Sequence, residues 1–307
     1  MTWFEGFDAG LHPAGEVELF ARTGGNPEGP PLLLVHGFPQ THAMWHRVAR
    51  QLADRFSLVI PDLRGYGDST KLAAAPGQPE PRHAQQSKRA MATDMAALMT
   101  SLGHERFAVV GHDRGGRVAH RLALDHADRI ERLCLIDIAP TLDVYEATDM
   151  RFATAYYHWF FLIQPAPLPE RLIGAEASFY LRWCLGGWGS RGELGFIEPE
   201  ALAEYERCFC RPETIHAACE DYRAAATIDL AHDRASRAAG EKIRCDLLVL
   251  WGERGVVARM ADPLALWRAQ CARAVSGQAV AAGHFIPEEL PADTAARIAA
   301  FVPSAEG

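Results

Sequence analysis

The chain has 307 residues, 49% hydrophobic and 23% charged, and its 31 Lys+Arg against 39 Asp+Glu leave a formal net charge of −8. These proportions exclude a disordered or low-complexity chain, and the acidic balance argues against nucleic acid as a partner, because neutralising phosphates requires a basic face. No stretch approaches the roughly 20 apolar residues of a membrane span, and Met1-Thr2-Trp3-Phe4-Glu5-Gly6 carries no secretory signal, so a cytoplasmic protein of one or two α/β domains is expected, with no membrane contact.

Apolar runs recur along the chain with helical patterns between them. The first is Pro31-Leu32-Leu33-Leu34-Val35, followed at once by His36-Gly37-Phe38-Pro39. The second is Phe56-Ser57-Leu58-Val59-Ile60. Segment 72–87, with Pro76, Pro79, Pro81 and several Gln, predicts a surface loop. Met91, Met95, Leu98, Met99 and Leu102 then recur at i, i+4, i+7, i+8 and i+11, one face of a helix. Phe107-Ala108-Val109-Val110 and Leu133-Cys134-Leu135-Ile136 follow, then after a long gap Leu247-Leu248-Val249-Leu250, and a last strand near Gln278-Ala279-Val280. Such runs suit strands buried on both faces of a parallel sheet. Their alternation with helices implies right-handed crossovers and a doubly wound sheet.

The alternation breaks between Thr141 and Arg237. This stretch has no β run, is rich in aromatics and is interrupted by Pro165, Pro167 and Pro169. It predicts an all-helical insertion, residues 141–236, in a core made of 1–140 and 237–307. The insertion is expected over the carboxyl ends of the strands, where open α/β sheets bind ligands. Seven Cys, at 134, 184, 208, 210, 219, 245 and 271, are odd in number and irregular in spacing. Cys208-x-Cys210 lacks a second ligand pair for zinc. Reduced thiols and no metal are expected.

Gly111-His112-Asp113-Arg114-Gly115-Gly116 directly follows a predicted strand and opens a helical pattern of Val118, Leu122 and Leu124. That is the context of a nucleophile elbow, G-x-Nuc-x-G, with Asp113 as nucleophile. Asp137, at the end of the Leu133–Ile136 run, and His284, after the last strand, complete a triad in the order nucleophile, acid, base. Glu253 is the competing acid. Backbone N–H groups of Phe38 and Arg114 would form an oxyanion hole. An Asp nucleophile decides the reaction class. Attack on a saturated carbon gives an alkyl ester, which water can open at the Asp113 carboxyl carbon, whereas Ser would leave an inert ether. Neutral His284, its tautomer held by Asp137, would activate that water. Arg114 and Arg117 lie one helical turn apart beside the nucleophile, and two guanidinium groups there match a carboxylate, bound in a bidentate manner.

These residues resemble the fluoroacetate (haloacetate) dehalogenases of the α/β-hydrolase superfamily over nearly the whole chain. The marks are His36-Gly37-Phe38-Pro39-Gln40-Thr41, Pro61-Asp62-Leu63-Arg64-Gly65-Tyr66-Gly67-Asp68-Ser69, His112-Asp113-Arg114-Gly115-Gly116-Arg117, Tyr157-His158-Trp159-Phe160 and Glu220-Asp221-Tyr222-Arg223. The resemblance implies a mostly parallel eight-stranded sheet flanked by helices, with the insertion as a cap. It implies conversion of fluoroacetate and other haloacetates to glycolate and halide. It assigns the substrate carboxylate to Arg114 and Arg117, and the departing halide to His158, Trp159 and Tyr222. It implies a homodimer with a haloacid substrate and no metal or organic cofactor. Two rivals stand beside it. One is an epoxide hydrolase using Tyr156 or Tyr157 with Tyr222, disfavoured by the two Arg. The other is a non-catalytic ligand-binding protein, disfavoured by the complete triad.

Overall fold

The computed structural model describes residues 3–72, 83–260 and 262–303, so most of the expected 72–87 loop lies outside the described residues. Eight strands form one sheet: β1 (Phe7–Ala14), β2 (Val17–Gly25), β3 (Pro31–Val35), β4 (Ser57–Pro61), β5 (Phe107–His112), β6 (Ile130–Ile136), β7 (Asp246–Gly252) and β8 (Val275–Val280). Their spatial order is β1-β2-β4-β3-β5-β6-β7-β8. From β4 to β8 every pairing is parallel, while β2 runs antiparallel to both β1 and β4. β5 sits near the centre and is buried at every residue, as its unbroken apolar run requires. The β1–β2 hairpin is the part that apolar runs do not reveal. Its residues alternate between buried and exposed along β2, the period-2 pattern of an antiparallel edge with one wet face.

Three helices follow the early strands: α1 (His46–Leu52), α2 (Lys88–Ser101) and α3 (Asp113–Asp125). Ser87 caps α2 by accepting from the Ala90 amide, and Met91, Met95, Leu98 and Met99 are buried along one face. Between β6 and β7 run eight helices and, among the described residues, no strand. They are α4 (Thr141–Glu146), α5 (Met150–Ala155), α6 (Tyr157–Phe161), α7 (Leu168–Ala175), α8 (Ala177–Gly187), α9 (Pro199–Phe209), α10 (Pro212–Ala226) and α11 (Ile228–Ala238). The core closes with α12 (Pro263–Arg268), α13 (Ile286–Glu289) and α14 (Pro291–Phe301).

Polar ties pin the helical insertion to the sheet. Tyr205 on α9 donates to Glu288 on α13 at 2.9 Å, Gln40 also donates to Glu288, and Arg207 pairs with Asp68. Burial pushes the Glu288 carboxyl up to about 8, so this tie persists around neutrality as hydrogen bonds to a largely protonated acid. All seven cysteines are free thiols. No described helix is long and apolar enough to cross a membrane.

Candidate active site

Asp113 is the first residue of α3, where β5 ends and the chain turns sharply. Its φ of 47° lies in the left-handed region, a cost of about 1–3 kcal/mol that only a well-determined surrounding sustains. Two glycines supply it. A Cβ on Gly37 would come within 2.6 Å of the Asp113 Cβ, and one on Gly115 within 2.3 Å of the His36 carbonyl oxygen. The loop after β3 therefore lies directly against the elbow. It brings the Phe38 amide to donate to Asp113 Oδ2 at 3.0 Å. Burial alone would raise the Asp113 carboxyl. His284, His112, Arg114 and Arg117 outweigh it and hold the group below its ordinary value, and the α3 N-terminus favours the same charge. Asp113 is an ionised, desolvated carboxylate with an N–H on one oxygen.

His284 follows β8, and its Nδ1 lies 2.6 Å from Asp137 Oδ2. Asp137 is itself fixed, with its Oδ1 accepting from Gly252 N at 3.0 Å and its own amide donating to Leu250 O at 2.7 Å. A carboxylate on Nδ1 leaves Nε2 as the free basic position. That nitrogen is buried and unpartnered among the described residues. Burial would lower the His284 value, but the hydrogen bond and charge of Asp137, with Asp113 behind it, raise it above 6.5. Glu253 is exposed, and the histidine is joined to Asp137 instead.

The two guanidinium groups differ. Arg114 is fully buried and already committed to Asp221 on α10. Its Nε donates to Oδ2 at 3.1 Å, and its Nη2 to Oδ1 at 2.6 Å and to the Asp221 carbonyl at 2.9 Å. Only Nη1 is buried without a partner, so Arg114 offers one nitrogen rather than a fork. Arg117 is a buried cation held by neutral oxygens, Ala139 O at 3.1 Å and Thr141 Oγ1 at 2.9 Å from Nη1. No described carboxylate is in ion-pair range of it, and its Nε is buried and unpartnered. An uncompensated buried cation is costly unless a ligand supplies the anion.

Asp221 is the residue that sequence reasoning left as part of a string. It also accepts from the Tyr66 hydroxyl at 2.7 Å and from Lys88 Nζ. Three donors hold its carboxyl well below the ordinary range despite burial. Asp221→Asn would leave Arg114 and Lys88 as facing cations in a dry interior. The expected cost is about 3–5 kcal/mol, read as a fall in the urea midpoint. An unchanged midpoint would show that the carboxylate does not offset these charges.

The aromatic wall comes from the insertion. His158 and Trp159 are neighbours on α6, and Tyr222 lies on α10. Arg114 sits over the Tyr222 ring at 4.1 Å and Arg117 over Trp159 at 4.6 Å. The Phe38 ring, beside the amide that holds Asp113, stacks on His158 at 6.2 Å and meets Tyr222 at 5.3 Å. All five expected cation and aromatic residues thus converge around Asp113. Burial lowers His158 to about 3 and raises the Tyr222 phenol well above 10. Both are therefore neutral N–H or O–H donors at pH 7. Trp188 closes the wall, 4.3 Å from His158 and 5.3 Å from His284 between ring centroids. Of the two tyrosines considered as partners for Tyr222, Tyr157 is 37% exposed and Tyr156 buried.

The alpha/beta hydrolase fold family matches residues 30–291. A fluoroacetate dehalogenase from Burkholderia sp is 44% identical over 98% of this chain and 96% of its own length. A soluble epoxide hydrolase from Corynebacterium sp. (strain C12) is 32% identical over 86% of each chain. A solved structure of a protein from Nostoc sp PCC 7120 superposes with a TM-score of 0.91 at 53% identity, covering 97% of this chain and 98% of that one.

Proposed function

Because the chain belongs to the alpha/beta hydrolase family, we propose that it is a hydrolytic dehalogenase acting on fluoroacetate and other small haloacetates. Residues 1–140 and 237–307 form the catalytic core in this reading, and 141–236 its cap. The observation that carries it is a set of buried nitrogens without partners gathered about one carboxylate: Arg114 Nη1, Arg117 Nε, His158 Nδ1 and His284 Nε2. Buried polar groups are rarely left unpaired. Here a substrate carboxylate would satisfy the guanidinium groups, and a water the His284 nitrogen.

In this reading Arg114 and Arg117 hold the carboxylate and turn Cα toward Asp113. One carboxylate oxygen of Asp113 attacks Cα in line, and the carbon–halogen bond breaks with its electron pair on the halide. His158, Trp159 and Tyr222 donate to the halide in place of water. His284 Nε2 then takes a proton from water, which attacks the Asp113 carboxyl carbon. Phe38 N–H already contacts an Asp113 oxygen and would stabilise the tetrahedral oxyanion, with the Arg114 N–H as its expected companion. Glycolate leaves and Asp113 returns.

The test is fluoride release from fluoroacetate, followed with an ion-selective electrode. Release well above a no-enzyme control is expected. Arg117→Met is expected to lower kcat/KM by about 10²-fold, corresponding to about 3 kcal/mol of lost charged hydrogen bonding, and to do so largely through KM. Wild-type release indistinguishable from the control would sink the reading. An unchanged KM in Arg117→Met would remove Arg117 from the carboxylate site.

A further inference from the structure

The two Arg residues argue against a neutral epoxide, but they do not argue against an epoxide that carries a carboxylate. We propose that this site also hydrolyses small 2,3-epoxy carboxylates, of which glycidate is the smallest, to vicinal dihydroxy acids. The proposal rests on the carboxylate, nucleophile and donor assignments above.

The geometry asks the same three things of either substrate: a carboxylate, a saturated carbon next to it, and an electronegative atom on that carbon facing donors. Glycidate meets all three. Its carboxylate would lie against Arg117, which has only neutral oxygens as partners, and the Arg114 Nη1 left over from Asp221. Its C2 takes the place of Cα of a haloacetate. Its ring oxygen takes the place of the halogen. Glycidate is only one heavy atom larger than fluoroacetate, a small demand on a wall made of side chains.

The leaving atom makes the difference. A halide can depart as an anion, but an opening epoxide becomes an alkoxide and must be protonated. The wall carries an acid able to do this. Tyr222 is buried, packed on Arg114 at 4.1 Å, and 5.6 Å from the His158 ring between centroids. Asp113 attacks C2, the C2–O bond breaks, and its electron pair goes to the ring oxygen, which stays attached through C3. Tyr222 gives that oxygen its proton, while the Arg114 charge over the ring stabilises the phenolate. Water, activated by His284, then opens the ester at the Asp113 carboxyl carbon. The departing C2 oxygen takes the proton from His284, and the proton released as Asp113 returns to carboxylate restores Tyr222. The sum is glycidate plus water to glycerate.

The experiment incubates the wild-type protein with glycidate, with fluoroacetate and with glycidol, the uncharged analogue, and measures glycerate, fluoride and glycerol. Glycerate formation is expected, with glycidol slower by about 10²-fold in kcat/KM for want of the carboxylate. Tyr222→Phe lowers both reactions, but glycerate formation by about a further 10²-fold, the usual worth of a positioned acid. Fluoride without glycerate overturns this proposal and leaves the dehalogenase reading standing. Glycerate without fluoride supports it and sinks that reading, and neither product overturns both. Equal turnover of glycidol, or an equal loss of both activities in Tyr222→Phe, also overturns it.

Discussion

Replacing Asp113 by Asn is expected to lower halide release from fluoroacetate by at least about 10⁴-fold, with the fold intact. An amide nitrogen or oxygen is a poor nucleophile toward saturated carbon, and no nearby side chain can take over. The described carboxylates closest to the site are engaged: Asp137 with His284 and Gly252, Asp221 with Arg114, Lys88 and Tyr66. Asn is also the substitution this position tolerates best. The φ of 47° lies where Asn is enriched among non-glycine residues, and the Phe38 N–H can still donate to the amide oxygen. The melting temperature is therefore expected to stay near the wild-type value, so that lost activity is lost chemistry. Asn beside an activated water can deamidate to Asp. The measurement is made on fresh protein, with the mass of the peptide containing residue 113 followed alongside activity. Full activity with Asn confirmed by mass would remove Asp113 as the nucleophile.

What the sequence revealed follows from where each signal lives. β3 to β7 are legible because strands buried on both faces have to be apolar throughout. The β1–β2 hairpin alternates along β2, and its buried Val17, Leu19 and Ala21 are interrupted by residues that read as loop. Asp113, Asp137 and His284 are legible because they stand at strand ends in a fixed chain order. Asp221 is harder. An acid within a helix usually faces water, and its role exists only through Arg114, which is 107 positions away. The signal was present nonetheless. Ala217, Ala218, Tyr222, Ala224 and Ala225 are buried on the same helix, so Asp221 interrupts an apolar face, where an acid needs a partner. The guanidinium fork was read from residue type alone. Type cannot show that two nitrogens of Arg114 are already spent, because partners are a tertiary fact.

His284→Gln separates the two halves of the proposed reaction. Alkylation of Asp113 needs only the carboxylate, the Arg pair and the halide donors, whereas opening of the ester needs a base on water. The variant is expected to release about one halide per site in a burst and then stall, with steady-state kcat down by about 10³–10⁴-fold. The protein mass should rise by one carboxymethyl group, carried on the peptide containing residue 113. Steady turnover at the wild-type rate, or a stalled enzyme without the mass increase, would exclude an Asp113 ester opened by His284. The pH dependence has a sign fixed by the charges around the imidazole. Asp137 and Asp113 raise the His284 value above 6.5 in the free enzyme, so activity should fall as pH drops through that raised value and protonates the base. The burst in His284→Gln should not share this limb. Ester formation removes the negative charge of Asp113, one of the groups that raise His284, and so lowers the histidine's proton affinity as the next step begins. The acid limb of kcat, which reports the bound and alkylated states, should therefore lie at lower pH than that of kcat/KM, which reports the free enzyme. Coincident limbs would mean that the charge on Asp113 does not set the protonation of His284.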